Sequence, residues 1–158
     1  MLKLEDFKAA KKRVDEVILP THLIHSDAFS EECGNDVYIK PENLQKTGAF
    51  KIRGAYNKIM KLDDEAKKKG LIASSAGNHA QGVAYAAKKL GVKATICMPA
   101  HTPLIKVDAT KAHGADVVLY GEAYDEAYEK AVELQKSEGY TFVHPFDCLL
   151  YTSDAADD

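Results

Sequence analysis

No uninterrupted apolar stretch in the 158 residues approaches the ~20 needed to span a bilayer. The opening Met1-Leu2-Lys3-Leu4-Glu5-Asp6 has no apolar segment of the kind a secretory signal carries. Together these absences lead us to expect no membrane partner. Cysteine is scarce: Cys33, Cys97 and Cys148 stand far apart, odd in number and with no Cys-x-x-Cys pair. That pattern excludes a disulfide framework and a zinc site of the usual spacing, so no metal is expected, and it suits the reducing cytoplasm. An excess of positive charge is missing too. With 21 Lys and Arg against 24 Asp and Glu the formal net charge is -3, which gives no reason to expect nucleic acid or an anionic membrane as a partner. The basic runs Lys11-Lys12-Arg13 and Lys67-Lys68-Lys69 each lie beside acidic residues and read as solvated faces.

What remains is the composition of an ordinary globular chain, 46% hydrophobic and 28% charged, long enough to bury a real core. Leu4, Phe7, Ala10, Val14 and Val17 recur at near-helical spacing, and the pattern predicts a first helix ended by Pro20. A short turn or helix is expected near Asp27-Ala28-Phe29, and a turn at Gly34-Asn35-Asp36. Val37–Lys40 reads as a short strand closed by Pro41. A polar loop follows, then a helix whose face is Ile52, Ala55, Ile59 and Leu62.

From Gly70 onward strand and helix patterns alternate. Leu71–Ala73, Ala94–Met98, Val117–Leu119 and Thr141–Val143 are strand candidates. The segments between them carry helical stripes, with Gly91 placed as a C-terminal stop and Pro103 in a first turn. Strands separated by helices of about 10 to 15 residues indicate an α/β fold, a parallel sheet with helices on both faces and right-handed crossovers. That architecture hosts many activities, so function must be read from particular residues.

Two segments look unlike packing. The first runs from Glu42 to Ala55 and places Lys51 where a glycine-containing loop enters a helix. The positive end of a helix dipole disfavours an ammonium there, and a neutral lysine amine condenses with aldehydes. Phe50 beside it offers an apolar wall. Taken alone, the segment reads more simply as a surface lysine near a helix start. The second is Ser74-Ser75-Ala76-Gly77-Asn78-His79-Ala80-Gln81-Gly82, small residues joining a strand to a helix, so that backbone N–H groups can approach a carboxylate or phosphate. Taken alone it reads equally well as an ordinary tight βα turn, and His79 as a packing histidine.

Together the segments resemble the threonine dehydratases of the serine/threonine dehydratase family, fold-type-II enzymes of pyridoxal phosphate. The resemblance rests on Asn-Leu-Gln-x-Thr-Gly-x-Phe-Lys-x-Arg-Gly-Ala at residues 43–55 and Ser-x-Gly-Asn-His-x-Gln at 75–81. It continues through Met98-Pro99, Thr102-Pro103, Lys106-Val107, Gly114-Ala115 and Tyr124–Ala127. It implies a tryptophan-synthase-β-like fold and pyridoxal 5'-phosphate as cofactor. Lys51 would be the catalytic lysine that forms a Schiff base with the cofactor, Phe50 would pack beside its ring, and Asn78 would hydrogen-bond its 3′-oxygen. Ser75, Gly77, Asn78 and His79 would hold the carboxylate of an amino-acid substrate, while Arg53 would be structural. The implied reaction is β-elimination of L-threonine or L-serine to 2-oxobutanoate or pyruvate and ammonia, in a cytoplasmic homodimer or homotetramer.

Three departures from the family pattern stand out: Ala49 for a common serine, Thr21-His22 for Thr-Pro, and Ala76 for the serine that related racemases use as acid and base on the second ring face. The last favours a lyase. Other readings are a different eliminase, β-replacement enzyme or racemase of the same fold, or a non-catalytic anion-binding α/β module. The resemblance further implies a truncated chain. Residues 1–62 would be an incomplete N-terminal part of the large cofactor domain, 63–143 a small Rossmann-like domain and 144–147 a return toward the large one. Residues 148–158 read as a non-native tail of translated adapter sequence. No Gly-Gly-Gly run is present to hold a cofactor phosphate, so this polypeptide alone is expected to be inactive.

Overall fold

The computed structural model describes residues 3–145; the tail reading at 148–158 lies outside them. The chain opens with α1 (Leu4–Val14), in which Ala10 and Val14 are buried while Leu4 and Phe7 stay exposed. The helix ends at Val14, not at Pro20, because tertiary partners take the backbone groups that follow. Lys46 Nζ donates to the Val17 carbonyl at 2.9 Å, and the Gln45 amide both accepts from Leu19 N–H (2.9 Å) and donates to the Leu19 carbonyl (2.8 Å). The Leu19 N–H, given to Gln45, cannot also serve a helix ladder.

A two-stranded antiparallel hairpin follows, β1 (Ile24–His25) with β2 (Tyr38–Ile39), enclosing α2 (Asp27–Cys33). Ser26 caps α2 by accepting from Phe29 N–H, and Gly34, at φ +67°, closes it in the left-handed region. Beyond a 3₁₀ turn at Glu42–Leu44 lies α3 (Lys51–Met60), whose predicted face is buried at Ile52, Ala55 and Ile59, while Leu62, the fourth residue expected on it, lies past the end of the helix and is half-buried. A short charged helix, α4 (Asp64–Lys69), is capped by Asp63 and leads to Gly70.

The remainder alternates: β3 (Leu71–Ser74), α5 (Asn78–Leu90), β4 (Ala94–Met98), α6 (Leu104–Ala112), β5 (Asp116–Leu119), α7 (Tyr124–Glu138) and β6 (Thr141–Phe142). These four strands form one parallel sheet in the order β5-β4-β3-β6, with Ile72 opposite both Thr95 and Phe142. Alternation along β3 divides the apolar side chains between two faces. Leu71 and Ala73 join Ile96, Val83, Ala87, Ile52, Ile59 and Val17 in the main core. Ile72 and Cys97 turn the other way and meet Ala131 of α7. Helices therefore cover both faces. The main core also draws Val14, Val17 and α3 against the sheet, so the segment before residue 62 and the sheet that follows share one interior.

Candidate functional site

Lys51 is the first residue of α3, and the loop that delivers it is pinned at three points. At the first, the Glu42 carboxylate accepts two hydrogen bonds from Arg53, Nε to Oε2 and Nη2 to Oε1, both 2.7 Å, and a third from the Thr21 hydroxyl at 2.5 Å. Such a fork fixes direction as well as distance. Burial pushes this carboxyl upward, but hydrogen bonds from Arg53 and Thr21, with the charge of Arg53 and the Gln45 amide, outweigh it and hold the group below the ordinary glutamate range. At the second, Gln45, 4% exposed, is bound to both backbone groups of Leu19. At the third, Lys46 reaches the Val17 carbonyl. Gly48, at φ +71°, then turns the chain in a conformation that side chains with a Cβ rarely adopt. Lys51 itself is half-buried, its Nζ 5.1 Å from the ring centroid of Phe50.

The second loop leaves β3, all four residues of which are buried. Ser75 N–H donates to the Cys97 carbonyl, carrying the parallel ladder one residue further, and Ser75 Oγ accepts from Gly77 N–H at 3.2 Å. Gly77 precedes α5, and a Cβ built on it would meet nothing within 4 Å, so the turn has an open side. The first turn of α5 carries amide N–H groups with no carbonyl inside the helix to accept them. His79 is buried, and its Nε2 donates to the Val143 carbonyl at 2.9 Å; since a carbonyl only accepts, that nitrogen carries the hydrogen. The imidazole thus joins the start of α5 to the end of β6. Ser74 Oγ, wholly buried at the end of β3, has no hydrogen-bond partner among the described residues.

Topology puts this loop where ligands bind in open parallel sheets. From β3 the chain moves outward to β4 and β5, then returns to place β6 on the other side of β3. The crevice at the carboxyl ends of β3 and β6 is therefore a topological switch point, the usual binding place of doubly wound sheets.

The two motif segments meet through a glycine whose role the sequence reading left unassigned. A Cβ at Gly82, one turn beyond Asn78, would stand 3.1 Å from the Lys51 carbonyl carbon, 3.2 Å from its oxygen and 3.3 Å from Ile52 N. The α5 helix therefore lies against the backbone that carries Lys51. The expected residues thus divide. Lys51 and Phe50 head α3, and Ser75, Gly77, Asn78 and His79 head α5 beside it. The His79 side chain is committed to Val143, and Arg53 serves as a strut to Glu42. Among the described residues no cluster of His, Cys, Asp and Glu is arranged to hold a metal ion, and no helix is long and apolar enough to cross a membrane. Burial pushes the Cys97 thiol up to about 11, opposed only by the charge of Lys130, which leaves it inert as a nucleophile.

The profile of the family described as pyridoxal-phosphate dependent enzyme matches residues 14–154. An L-threonine ammonia-lyase from Thermotoga maritima is 52% identical over 147 residues, covering 93% of this chain and 37% of that protein. The processed form of threonine deaminase isoform 2 from Solanum lycopersicum superimposes with a TM-score of 0.82 at 41% identity, over 92% of this chain and 44% of that one. A serine racemase from Dictyostelium discoideum gives a TM-score of 0.85 at 36% identity, over 94% and 48%. The chain spans about two fifths of the length of the curated relatives it matches.

Proposed function

Because the chain belongs to the family of pyridoxal-phosphate dependent enzymes, we propose that the complete protein eliminates water from L-threonine, and from L-serine, with Lys51 as the residue that holds the cofactor and moves the Cα proton. The observation that carries this reading is the backbone contact at Gly82, which seats the Lys51 segment one helical turn from the loop 75–79.

The residues present fit the cofactor. Lys51 offers an amine to an aldehyde and Phe50 an apolar ring beside it, Asn78 brings a side-chain amide to the head of α5, and the turn has free space at Gly77. Lys51, Phe50 and Asn78 would hold the cofactor. Bound there, pyridoxal phosphate supplies an aldehyde that condenses with amines and a conjugated ring that spreads negative charge formed at Cα. Ser75, Gly77, Asn78 and His79 would hold the substrate carboxylate, aided by the positive end of the α5 dipole. For His79 this role falls to its backbone, because the N–H of the imidazole, on Nε2, goes to the Val143 carbonyl. Lys51, as a free amine, accepts the Cα proton, and the β-hydroxyl leaves with a proton as water. Hydrolysis of the resulting enamine gives 2-oxobutanoate from threonine, or pyruvate from serine, with ammonia.

Racemisation needs a proton carrier on each face of Cα. Ala76 has no hydroxyl to act as the second, so the lyase reading is favoured over the racemase one. The division at residue 62 into parts of a large and a small domain, a homodimeric or homotetrameric assembly, and a cytoplasmic location belong to the same proposal. Its test is turnover of threonine, serine and O-acetylserine by the complete protein and by Lys51→Ala, with chiral analysis of residual serine. Threonine should be the preferred substrate, no D-serine should form, and Lys51→Ala should lose about 10²- to 10⁴-fold, the scale of a positioned general base. Full turnover by Lys51→Ala would end the assignment.

A further inference from the structure

We propose that Gly82 is a positioning residue, whose missing side chain sets the separation between Lys51 and the head of α5. The proposal rests on the assignment of Lys51 above. The three atoms nearest to a Cβ at Gly82, at 3.1, 3.2 and 3.3 Å, belong to the backbone of Lys51 and Ile52. No rotamer change can clear a backbone atom, so any side chain at 82 must push the start of α3 away by a few tenths of an ångström. The rest of α3 is not free to follow. Ile52, Ala55 and Ile59 are fully buried in the main core, and Arg53 is held to Glu42 by two 2.7 Å hydrogen bonds. Strain introduced at residue 82 is therefore delivered to the first residues of α3, where Lys51 stands.

Gly82 also lies inside α5, where glycine is less favourable than alanine by about 1 kcal/mol. Helix propensity alone would put alanine there. The geometry explains the glycine through close approach: φ at this position is not in the left-handed range, so conformational freedom is not the reason. Two segments far apart in sequence are brought into register at this point. One ends in Lys51; the other begins one turn earlier with the loop that would hold the substrate carboxylate.

The experiment compares four forms of the complete protein with bound cofactor: parent, Gly82→Ala, Gly82→Ser and Ile59→Val. The last weakens the same core seven residues beyond Ile52, away from Lys51. Ile59→Val should lower Tm by about 2–6 °C with kcat and the visible cofactor absorbance unchanged. Gly82→Ala should lower kcat by about tenfold, since sub-ångström misplacement of a reacting group is costly. It should also alter the cofactor absorbance while leaving KM for threonine within about twofold. Parent kcat and spectrum in Gly82→Ala would overturn the proposal. So would a variant that fails to fold both as Gly82→Ala and as Gly82→Ser, which would make the glycine a packing residue alone. A parent protein without any cofactor absorbance would instead remove the Lys51 assignment and take this proposal with it.

Discussion

Glu42 never faces the reacting atoms in this account, yet it does much to place them. Its carboxylate joins the start of the loop to Arg53, two residues past Lys51, and to Thr21 in the preceding segment. Because those bonds hold its ionisation below the ordinary glutamate range, the folded state gains stability from the ionised form. The contribution is present above the unfolded-state value and is lost as pH falls through the depressed folded one. Glu42→Gln should therefore lower stability near neutral pH and flatten the acid limb of the stability–pH curve, as measured by urea unfolding at several pH values. An unchanged acid limb would show that the carboxylate does not govern this loop. The motif string drew attention to Glu42, Gln45 and Arg53, and the resemblance gave Arg53 as structural, but it assigned no role to Glu42 or Gln45. Those roles depend on which side chains reach Leu19 and Thr21, contacts between positions more than twenty residues apart in sequence for Gln45 and Glu42.

At the scale of elements, the sequence was readable wherever periodicity was long and burial deep. Strands β3 and β4 lie where the apolar runs put them, and α5 stops at Gly91, whose φ of +68° and N–H bonds to the Ala87 and Lys88 carbonyls close the helix. Gly91→Ala should cost about 1–2 kcal/mol, the price of forcing a Cβ into the left-handed region, seen as a lower urea midpoint with the head of α5 undisturbed. No loss of stability would contradict the cap. Strand β1 was not legible. It is two residues long, both exposed, and it pairs across α2, so no alternation marks it. The predicted end of α1 at Pro20 failed for a different reason: Gln45 and Lys46 capture the backbone of Val17 and Leu19, a competition invisible to local pattern. The role of Gly82 was hidden in the same way, because nothing in the string reveals what a missing Cβ makes room for.

Across the whole molecule, apolar side chains stand in solvent at several places, and the start of α6 is one of them, with Leu104 73% and Ile105 78% exposed. The parallel sheet has helices on both faces, whereas the hairpin region leaves Leu23 (63%), Ile24 (55%), Phe29 (54%), Tyr38 (56%) and Leu44 (60%) in solvent. Exposed apolar side chains favour association. The 158-residue chain should therefore self-associate as concentration rises, by light scattering, and Leu23→Ser with Leu44→Ser should reduce that association. A monodisperse monomer at high concentration would contradict the expectation.

The claim on which everything else depends is that the Lys51 amine condenses with the cofactor aldehyde. Borohydride reduction of the complete protein with pyridoxal phosphate, followed by peptide mapping, tests it most directly. A pyridoxyl label on the peptide carrying Lys51 is the expected result; a label on another lysine, or none, would contradict the account.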